Sequence, residues 1–219
     1  NKLEICIEET CMEEFVLNNP DSFNLVHIFE CGQCFRWNKE EDGSYTGIIK
    51  DAVINVKNDN GKIIFKGISK NKNLEELIKY YFDLDTNYSD YKNKLSKVDE
   101  YLSESIKFGN GIRILKQDLW ECIISYIISA NNNIPRIKKI IERLSLNYGD
   151  EIEFNNKKYY LFPTPEQLSR ASIEDLRNLG TGFRDKRIFN TTKMILQLIK
   201  TEKSSQKMER KKNFKSVQV

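Results

Sequence analysis

The sequence predicts an α+β protein, with an antiparallel β-rich N-terminal domain followed by an all-α domain. Short segments of alternating polar and apolar residues dominate the first third of the chain, and brief polar turns join them. From about residue 73 onward, apolar residues recur at helical spacing instead. A length of 219 residues suits one large domain or two modest ones. We place the boundary near Gly109-Asn110-Gly111, where two glycines interrupt the helical pattern.

The β-rich domain is predicted to be an antiparallel meander. Its expected strands lie at residues 3–7, 34–37, 44–49, 51–56 and 61–65. The last two pair as a hairpin, because Asp59-Asn60-Gly61 supplies residues that tolerate the positive φ of a tight turn. Connections this brief indicate an antiparallel sheet, since parallel strands need longer crossovers.

The helical domain is predicted from apolar stripes and from capping signals. The stripes run over residues 74–81, 95–106, 118–130 and 134–144. Thr164-Pro165-Glu166-Gln167 and Ser172–Asp175 read as helix starts, because Thr or Ser can cap a helix and Pro suits its first turn. The second of these helices is expected to end at Leu179-Gly180. Short turns between such helices indicate a compact bundle.

Composition excludes several classes of protein. Twelve Phe, ten Tyr and two Trp can fill a core, so we do not expect wholesale disorder. We expect neither a membrane span nor a secretion signal, because no apolar stretch is long enough. A net charge of +3 permits a nucleic-acid partner without requiring one. Cys31-Gly-Gln-Cys34 favours structural thiols over a metal site, because the sequence has a single histidine, His27.

Common catalytic signatures are missing from the sequence. One histidine, in the β-rich part, cannot supply a Ser/His/Asp set, and there is neither a Walker loop nor a GxGxxG motif. What remains is three clusters of polar, aromatic and basic residues where elements meet.

The first cluster, Ser129–Arg136, holds three consecutive asparagines between two apolar helices. One interpretation is helix capping, because Asn is costly inside a helix but suits a turn or an N-cap. The other is an exposed loop that offers amides to nucleic-acid base edges, with Arg136 on the next turn. The residues alone favour capping.

The second cluster, Leu179–Arg187, contains two glycines that let the backbone approach a surface closely. Backbone N–H groups beside a helix start can hold a phosphate. Phe183 on a tight turn can stack on a base or wedge into a duplex. The alternative is an ordinary helix end with Phe183 in the core. The third cluster, Cys31–Trp37, indicates only a glycine turn that enters a strand, with Trp37 buried.

In this order and spacing, the clusters resemble the 8-oxoguanine DNA glycosylase family of the helix-hairpin-helix superfamily, and its bacterial, clostridial-type members most closely. The resemblance covers most of residues 1–200. The matching segments are Phe23–Leu25, Cys31–Trp37, Gly111–Asp118, Trp120–Arg136, Phe162-Pro163 and Leu179–Arg184.

The resemblance implies three regions. Residues 1–108 would form an antiparallel domain similar to half of a TATA-binding protein, and residues 109–200 a partial helical glycosylase domain. Residues 201–219 would be a basic tail or a truncated approach to the catalytic hairpin. The implied function is base-excision repair by a DNA N-glycosylase with β-lyase activity that flips 8-oxoguanine out of the duplex. The expected partner is double-stranded DNA with 8-oxoguanine opposite cytosine. We expect no cofactor, no metal and no membrane, and a monomer in the bacterial cytoplasm at the nucleoid.

The resemblance also implies roles for individual residues. The family's asparagine at the position of Asn131 fills the vacated space and contacts the orphaned cytosine, and Asn132 is expected to contact DNA beside it. The arginine at the position of Arg136 also reads that cytosine. The aromatic at the position of Phe183 wedges beside it, with Arg184 adjacent as a further DNA contact.

Gly32 is the residue implied in recognition of the lesion base. The family's glycine at this position accepts a hydrogen bond from N7–H of 8-oxoguanine through its carbonyl. Guanine has a lone pair at N7 and would be repelled by that carbonyl, whereas the oxidised base carries a proton there.

The sequence departs from the family at its catalytic residues. The family's lysine, in a hairpin reading roughly Gly-Val-Gly-x-Lys, attacks the sugar C1′ and forms a Schiff base; neither this hairpin nor the family's aspartate is found here, so no catalytic residue is assigned. Phe214–Val219 faintly resembles the approach to the hairpin, which we expect to lie beyond Val219. The alternatives are an inactive damaged-DNA-binding fragment, a degenerate gene product, or a protein-interaction module that binds no nucleic acid.

Overall fold

The computed structural model describes residues 12–70 and 73–216, with side chains described as far as residue 204. The strand predicted at residues 3–7 lies outside the described residues. The chain divides into two compact units. One contains the residues up to Leu119 together with Glu151–Leu161, and the other contains Trp120–Asp150 and the residues from Phe162 onward. By this division the first unit extends beyond the boundary expected near residue 109; the three-region division implied by the resemblance remains a prediction.

A five-stranded antiparallel sheet forms the frame of the first unit, with strand order β1-β5-β4-β3-β2. Its strands are β1 (Glu13–Asn18), β2 (Trp37–Lys39), β3 (Tyr45–Ile49), β4 (Ala52–Asp59) and β5 (Lys62–Ser69). The predicted hairpin is confirmed, because Asn60 and Gly61 form its turn with φ of 50° and 85°. The strand predicted at residues 34–37 begins only at Trp37, since a turn containing Gly32 (φ 87°) precedes it.

Four helices accompany this sheet. They are α1 (Leu25–Phe29), α2 (Leu74–Tyr81), α3 (Tyr88–Leu95) and α4 (Glu100–Phe108). The side chains of Asn24, Asn73 and Asn87 cap the first three by accepting backbone N–H bonds. The stripe over residues 95–106 does not form one buried helix: Asp99 starts a new helix, and Tyr101 is 86% exposed.

Aromatic side chains fill the core of the first unit. The Phe29 ring stacks on Trp37 at 4.2 Å between centroids, and Phe82 meets both edge-on. Gly47 faces Trp37 across the sheet and leaves room for it, because a Cβ there would lie 2.2 Å from the indole. Trp37 Nε1 donates to the Tyr81 hydroxyl at 3.0 Å. The predicted burial of Trp37 is therefore confirmed, and the strand after the Gly32 turn is firmly fixed.

A second hairpin, β6 (Glu151–Phe154) and β7 (Lys157–Tyr160), also belongs to the first unit. Ile152 and Phe154 pack with Val53 and Ile68 of the sheet. The expectation that the chain is purely helical after residue 109 is wrong at this point. Residues 151–154 alternate polar and apolar, and two consecutive asparagines then make a turn with positive φ.

The second unit is helical. Its helices are α5 (Leu119–Ser129), α6 (Ile134–Tyr148), α7 (Pro165–Leu168), α8 (Ile173–Leu176) and α9 (Asp185–Ser216). The predicted starts at Thr164 and Ser172 are confirmed, because each side chain forms a reciprocal capping box. α9 runs through most of the stretch interpreted as a basic tail. Across residues 12–70 and 73–216, no helix is long and apolar enough to cross a membrane.

Candidate nucleic-acid interface

The three asparagines between α5 and α6 have different roles. Asn133 is the N-cap of α6 and accepts the Arg136 backbone N–H at 3.0 Å. Asn132 donates to the Ile128 carbonyl at 3.0 Å, which satisfies the end of α5. Asn131 is exposed in the left-handed region (φ 49°), and its amide forms no hydrogen bond within the described residues. The capping interpretation is thus confirmed for Asn133, and the Asn131 side chain remains available for a contact.

The junction between α8 and α9 runs through Arg177–Thr181, which kinks at Gly180, and a short turn, Gly182–Arg184. Gly180 and Gly182 have φ of 92° and 60°, which side chains rarely tolerate. Thr181 is fully buried, and its hydroxyl donates to the Leu176 carbonyl at 2.8 Å. Phe183, by contrast, is 63% exposed at the tip of the turn. The interpretation that placed Phe183 in the core is therefore wrong.

Arg184 joins the two loops from beneath, with only 2% of its surface exposed. Its guanidinium donates to the Ala130 carbonyl from Nε at 2.9 Å and also from Nη2. Nη2 reaches the Asn131 carbonyl at 2.9 Å, and Nη1 reaches Thr181 at 3.2 Å. The guanidinium carbon lies 4.3 Å from the centroid of the Phe183 ring. Arg184 was expected to contact DNA, but here its donors are bonded to protein carbonyls.

Arg136 forms the second link between the loops. It is exposed, and its Nη2 lies 3.5 Å from the Gly180 carbonyl. Burial lowers the pKa of Arg184, and the positive charge of Arg136 lowers it further. An arginine stays protonated under such a shift. Two positive charges therefore lie close together near Phe183, Arg136 at the surface and Arg184 buried.

The acidic residue at this junction is already engaged. Asp185 begins α9 with 1% exposure and accepts from Arg177 Nε and Nη2, each at 2.7 Å. Burial opposes ionisation of Asp185, but the bonds from the Lys186 backbone N–H and from Arg177 outweigh it and hold its pKa below the ordinary value. We interpret Asp185 as a first-turn carboxylate that stabilises the start of α9, a role typical of an acidic residue at that position.

The Gly32 turn lies in the first unit, between α1 and β2. Gly32 is half-buried with φ 87°, and within the described residues no hydrogen bond is made to its carbonyl. Sequence reasoning missed the neighbouring Gln33, whose side chain makes three hydrogen bonds. It also missed Arg113, which is 4% exposed and donates to four backbone carbonyls, of Asp21, Phe82, Asp83 and Thr86. Both residues lie inside segments that match the family, and that position could have marked them as functional candidates.

The potential metal ligands of the described part of the chain do not form a cluster. No group of three or more His, Cys, Asp or Glu residues is arranged to hold a metal ion there. Cys31 is exposed, and its Sγ lies 3.5 Å from the Ile28 carbonyl.

Comparison with known proteins identifies the family. The model of the 8-oxoguanine DNA glycosylase N-terminal domain matches residues 16–123. The N-glycosylase/DNA lyase OGG1 of Arabidopsis thaliana is 30% identical over 178 residues, which are 78% of this chain and 48% of that protein. The N-glycosylase/DNA lyase of Saccharomyces cerevisiae is 32% identical over 193 residues, 81% of this chain and 51% of its own. The chain belongs to the 8-oxoguanine DNA glycosylase family.

The structural comparison agrees and confirms the α+β fold of this family member. The apo 8-oxoguanine glycosylase/lyase of Clostridium acetobutylicum has a TM-score of 0.80 and 38% identity, over 85% of this chain and 66% of that chain. The same enzyme in complex with double-stranded DNA containing cytosine opposite 8-oxoG also has a TM-score of 0.80. The present chain spans about half the length of the curated relatives and about two thirds of these solved chains.

Proposed function

We propose that this chain provides the DNA-binding and lesion-recognition part of an 8-oxoguanine DNA glycosylase with AP-lyase activity. Family membership supports this proposal, as does the similarity to a clostridial enzyme seen with 8-oxoG opposite cytosine. The observation that carries it is the loop pair in the second unit. Its two loops carry three exposed side chains: Phe183, Arg136 and Asn131, whose amide has no described hydrogen bond. The buried Arg184 connects the loops through hydrogen bonds to their carbonyls.

These three exposed side chains suit the opening of a base pair. Phe183 can enter the stack as a wedge, which offsets part of the cost of unstacking the flipped nucleotide. Asn131 is proposed to fill the vacated space, and Arg136 to donate to acceptors on the pairing edge of the orphaned cytosine. Asn132 is proposed to contact DNA beside them while keeping its bond to Ile128. Arg184 is proposed to act beneath the surface by holding the backbone of Asn131.

Gly32 is proposed to distinguish 8-oxoguanine from guanine. Its carbonyl can accept the N7–H of the oxidised base, whereas the N7 lone pair of guanine would face the same oxygen at a repulsive distance. The half-buried position and the lack of a described protein partner leave that oxygen open to a ligand. A single lost or repulsive hydrogen bond at a desolvated site corresponds to about tenfold or more in affinity.

We assign no catalytic residue to this chain, because the residues of the family's lysine hairpin do not occur in it. In that mechanism the lysine nitrogen bonds to C1′, the base departs, and the Schiff base that results supports strand scission. Borohydride reduces such a Schiff base to a stable covalent adduct. We expect the 219-residue chain to give no adduct with an 8-oxoguanine:cytosine duplex; an adduct would show that a nucleophilic lysine is present.

Equilibrium binding tests the recognition role directly. The chain should bind an 8-oxoguanine:cytosine duplex more tightly than a guanine:cytosine duplex of the same sequence. Binding to both should weaken as salt rises, because phosphate contacts release counterions. Absence of salt-dependent duplex binding would reject the proposal and favour the protein-interaction alternative.

A further inference from the structure

The side chain of Gln33 is fully engaged in hydrogen bonds. Its Nε2 donates to the Ile28 carbonyl at 2.9 Å and to the Arg113 carbonyl at 2.9 Å. Its Oε1 accepts the Leu115 backbone N–H at 3.0 Å. A primary amide has two N–H donors, and both are used here together with the oxygen. The Gln33 amide therefore bridges the end of α1 and the extended segment at residues 113–117.

The backbone of Gln33 is held as well. Gln117 Nε2 donates to the Gln33 carbonyl at 2.6 Å. The carbonyl of Gly32 belongs to the planar peptide group that ends at the nitrogen of Gln33. Hydrogen bonds hold Gln33 at its side chain and at its carbonyl. They therefore restrain the peptide plane that carries the Gly32 oxygen. Gly32 alone would give no such restraint, because glycine, here at φ 87°, can adopt a wide range of backbone conformations.

The support on which Gln33 rests is itself rigid. Arg113 Nε donates to the Phe82 carbonyl at 2.9 Å and Nη2 to the Asp83 carbonyl at 2.7 Å. Its guanidinium carbon lies 4.3 Å from the centroid of the Tyr88 ring. The segment that receives the Gln33 amide is therefore anchored to the aromatic core of the first unit.

We propose that Gln33 is a positioning residue that orients the Gly32 carbonyl and thereby sets the selectivity for 8-oxoguanine over guanine. This inference rests on the proposed role of Gly32. Selectivity at a single carbonyl requires a fixed oxygen: it must meet an N7–H at hydrogen-bond distance and cannot retreat from an N7 lone pair. If the turn is loosened, the Gly32 oxygen attracts the N7–H of 8-oxoguanine less and repels the N7 lone pair of guanine less. The affinities for the two duplexes therefore become more similar.

Gln33→Glu is the sharpest variant, because it keeps the acceptor for Leu115 and removes both donations while conserving shape. Gln33→Met removes all three bonds at similar volume. The matched control is Asn55→Asp on β4, where the amide donates to Ser44 at 2.9 Å and to Thr46 at 3.0 Å. It makes the same amide-to-carboxylate change and loses two donations, but it bonds to neither the Gly32 turn nor residues 113–117.

The experiment measures dissociation constants for 8-oxoguanine:cytosine and guanine:cytosine duplexes, together with the unfolding temperature of each variant. We expect Gln33→Glu and Gln33→Met to lower the ratio of the two affinities about tenfold. Asn55→Asp should leave the ratio unchanged even if it lowers the unfolding temperature. Gln117→Leu removes only the bond to the Gln33 carbonyl and should lower the ratio about threefold, which keeps the test informative if a Gln33 variant does not fold.

The outcomes separate the two proposals. A wild-type chain that binds both duplexes equally would overturn the role of Gly32 and with it the proposed function. A wild-type chain that discriminates, with an unchanged ratio in the folded Gln33 and Gln117 variants, would overturn the positioning role alone. A fall in the ratio that Asn55→Asp reproduces would show general destabilisation and would equally reject it.

Discussion

The two proposed recognition regions hold their reading groups in opposite ways. At the Gly32 turn a backbone oxygen is the reading group, and the neutral amide of Gln33 fixes it. At the α5–α6 and α8–α9 loops exposed side chains read, and the charged Arg184 fixes the backbone below them. The Gln33 amide and the Arg184 guanidinium both donate to backbone carbonyls, but only the guanidinium is charged.

This difference matches what each region would have to distinguish. Telling N7–H from an N7 lone pair depends on the position of one carbonyl dipole, and hydrogen bonds from a neutral amide can fix that position. Opening a duplex and meeting its backbone favours positive charge, which Arg184 and Arg136 supply together. The charge of an anchor is therefore as informative as its geometry.

The largest effect is expected at the charged anchor. Arg184→Met should weaken binding of an 8-oxoguanine:cytosine duplex about a hundredfold, or about 2.7 kcal/mol, because the Ala130 and Asn131 carbonyls lose their common donor. Fluorescence anisotropy titrations measure this change. Arg170→Met, at an exposed arginine of the same unit, is the charge-matched control. If Arg184→Met and Arg170→Met weaken duplex binding equally, Arg184 contributes only its net charge.

The next largest effect is expected at Phe183, the proposed wedge. Phe183→Ala should weaken binding of the lesion duplex about thirtyfold, because base–aromatic stacking contributes about 1–3 kcal/mol. The control is Phe108→Ala, which removes an equally large aromatic, 87% exposed, at the end of α4 in the first unit. Equal affinities for wild type and Phe183→Ala would contradict a wedge at this position.

Arg136 is expected to affect the preference for the opposite base more than the overall affinity for DNA. Arg136→Ala is expected to lower the preference for cytosine over adenine opposite the lesion about tenfold, because a specific base contact contributes about 1–3 kcal/mol. Competition titrations with the two duplexes measure it, and Arg170→Ala reports the loss of one positive charge. A retained preference for cytosine would remove Arg136 from base reading.

The smallest effect concerns the helix start below the wedge. Asp185 has a lowered folded-state pKa, so its stabilisation is complete above the ordinary value of 3.8 and is lost as pH falls through the lowered value. The unfolding temperature should therefore fall as pH is lowered from about 5 to about 3, and fall less in Asp185→Asn. Identical pH profiles for both proteins would show that Asp185 does not contribute through its charge.

The sequence was a good guide where local chemistry decides structure. The Asn60-Gly61 hairpin and the capping boxes at Thr164 and Ser172 follow from backbone preferences of a few adjacent residues. It was a poor guide where burial decides. Val98 and Tyr101 continue a helical stripe, yet they are 67% and 86% exposed, because periodicity does not say what a helix packs against.

The same contrast between local sequence and burial applies to the residues of the candidate site. Phe183 and Arg136, the exposed residues proposed to read the duplex, were found from motifs. The buried anchors act through contacts distant in sequence: Gln33 bonds to Arg113 and Leu115, and Arg184 bonds to Ala130 and Asn131. No local pattern encodes such pairs, so Gln33 was overlooked, and Arg184 was expected to contact DNA rather than to bond beneath the loops.

The central claim is that lesion and opposite base are read by separate regions. The direct measurement is a set of affinities of wild type, Gln33→Glu, Arg136→Ala and the double variant for 8-oxoguanine:cytosine, guanine:cytosine and 8-oxoguanine:adenine duplexes. We expect Gln33→Glu to lower only lesion selectivity and Arg136→Ala to lower only cytosine preference, and the two losses should multiply in the double variant. A loss of lesion selectivity in Arg136→Ala as large as in Gln33→Glu would contradict it.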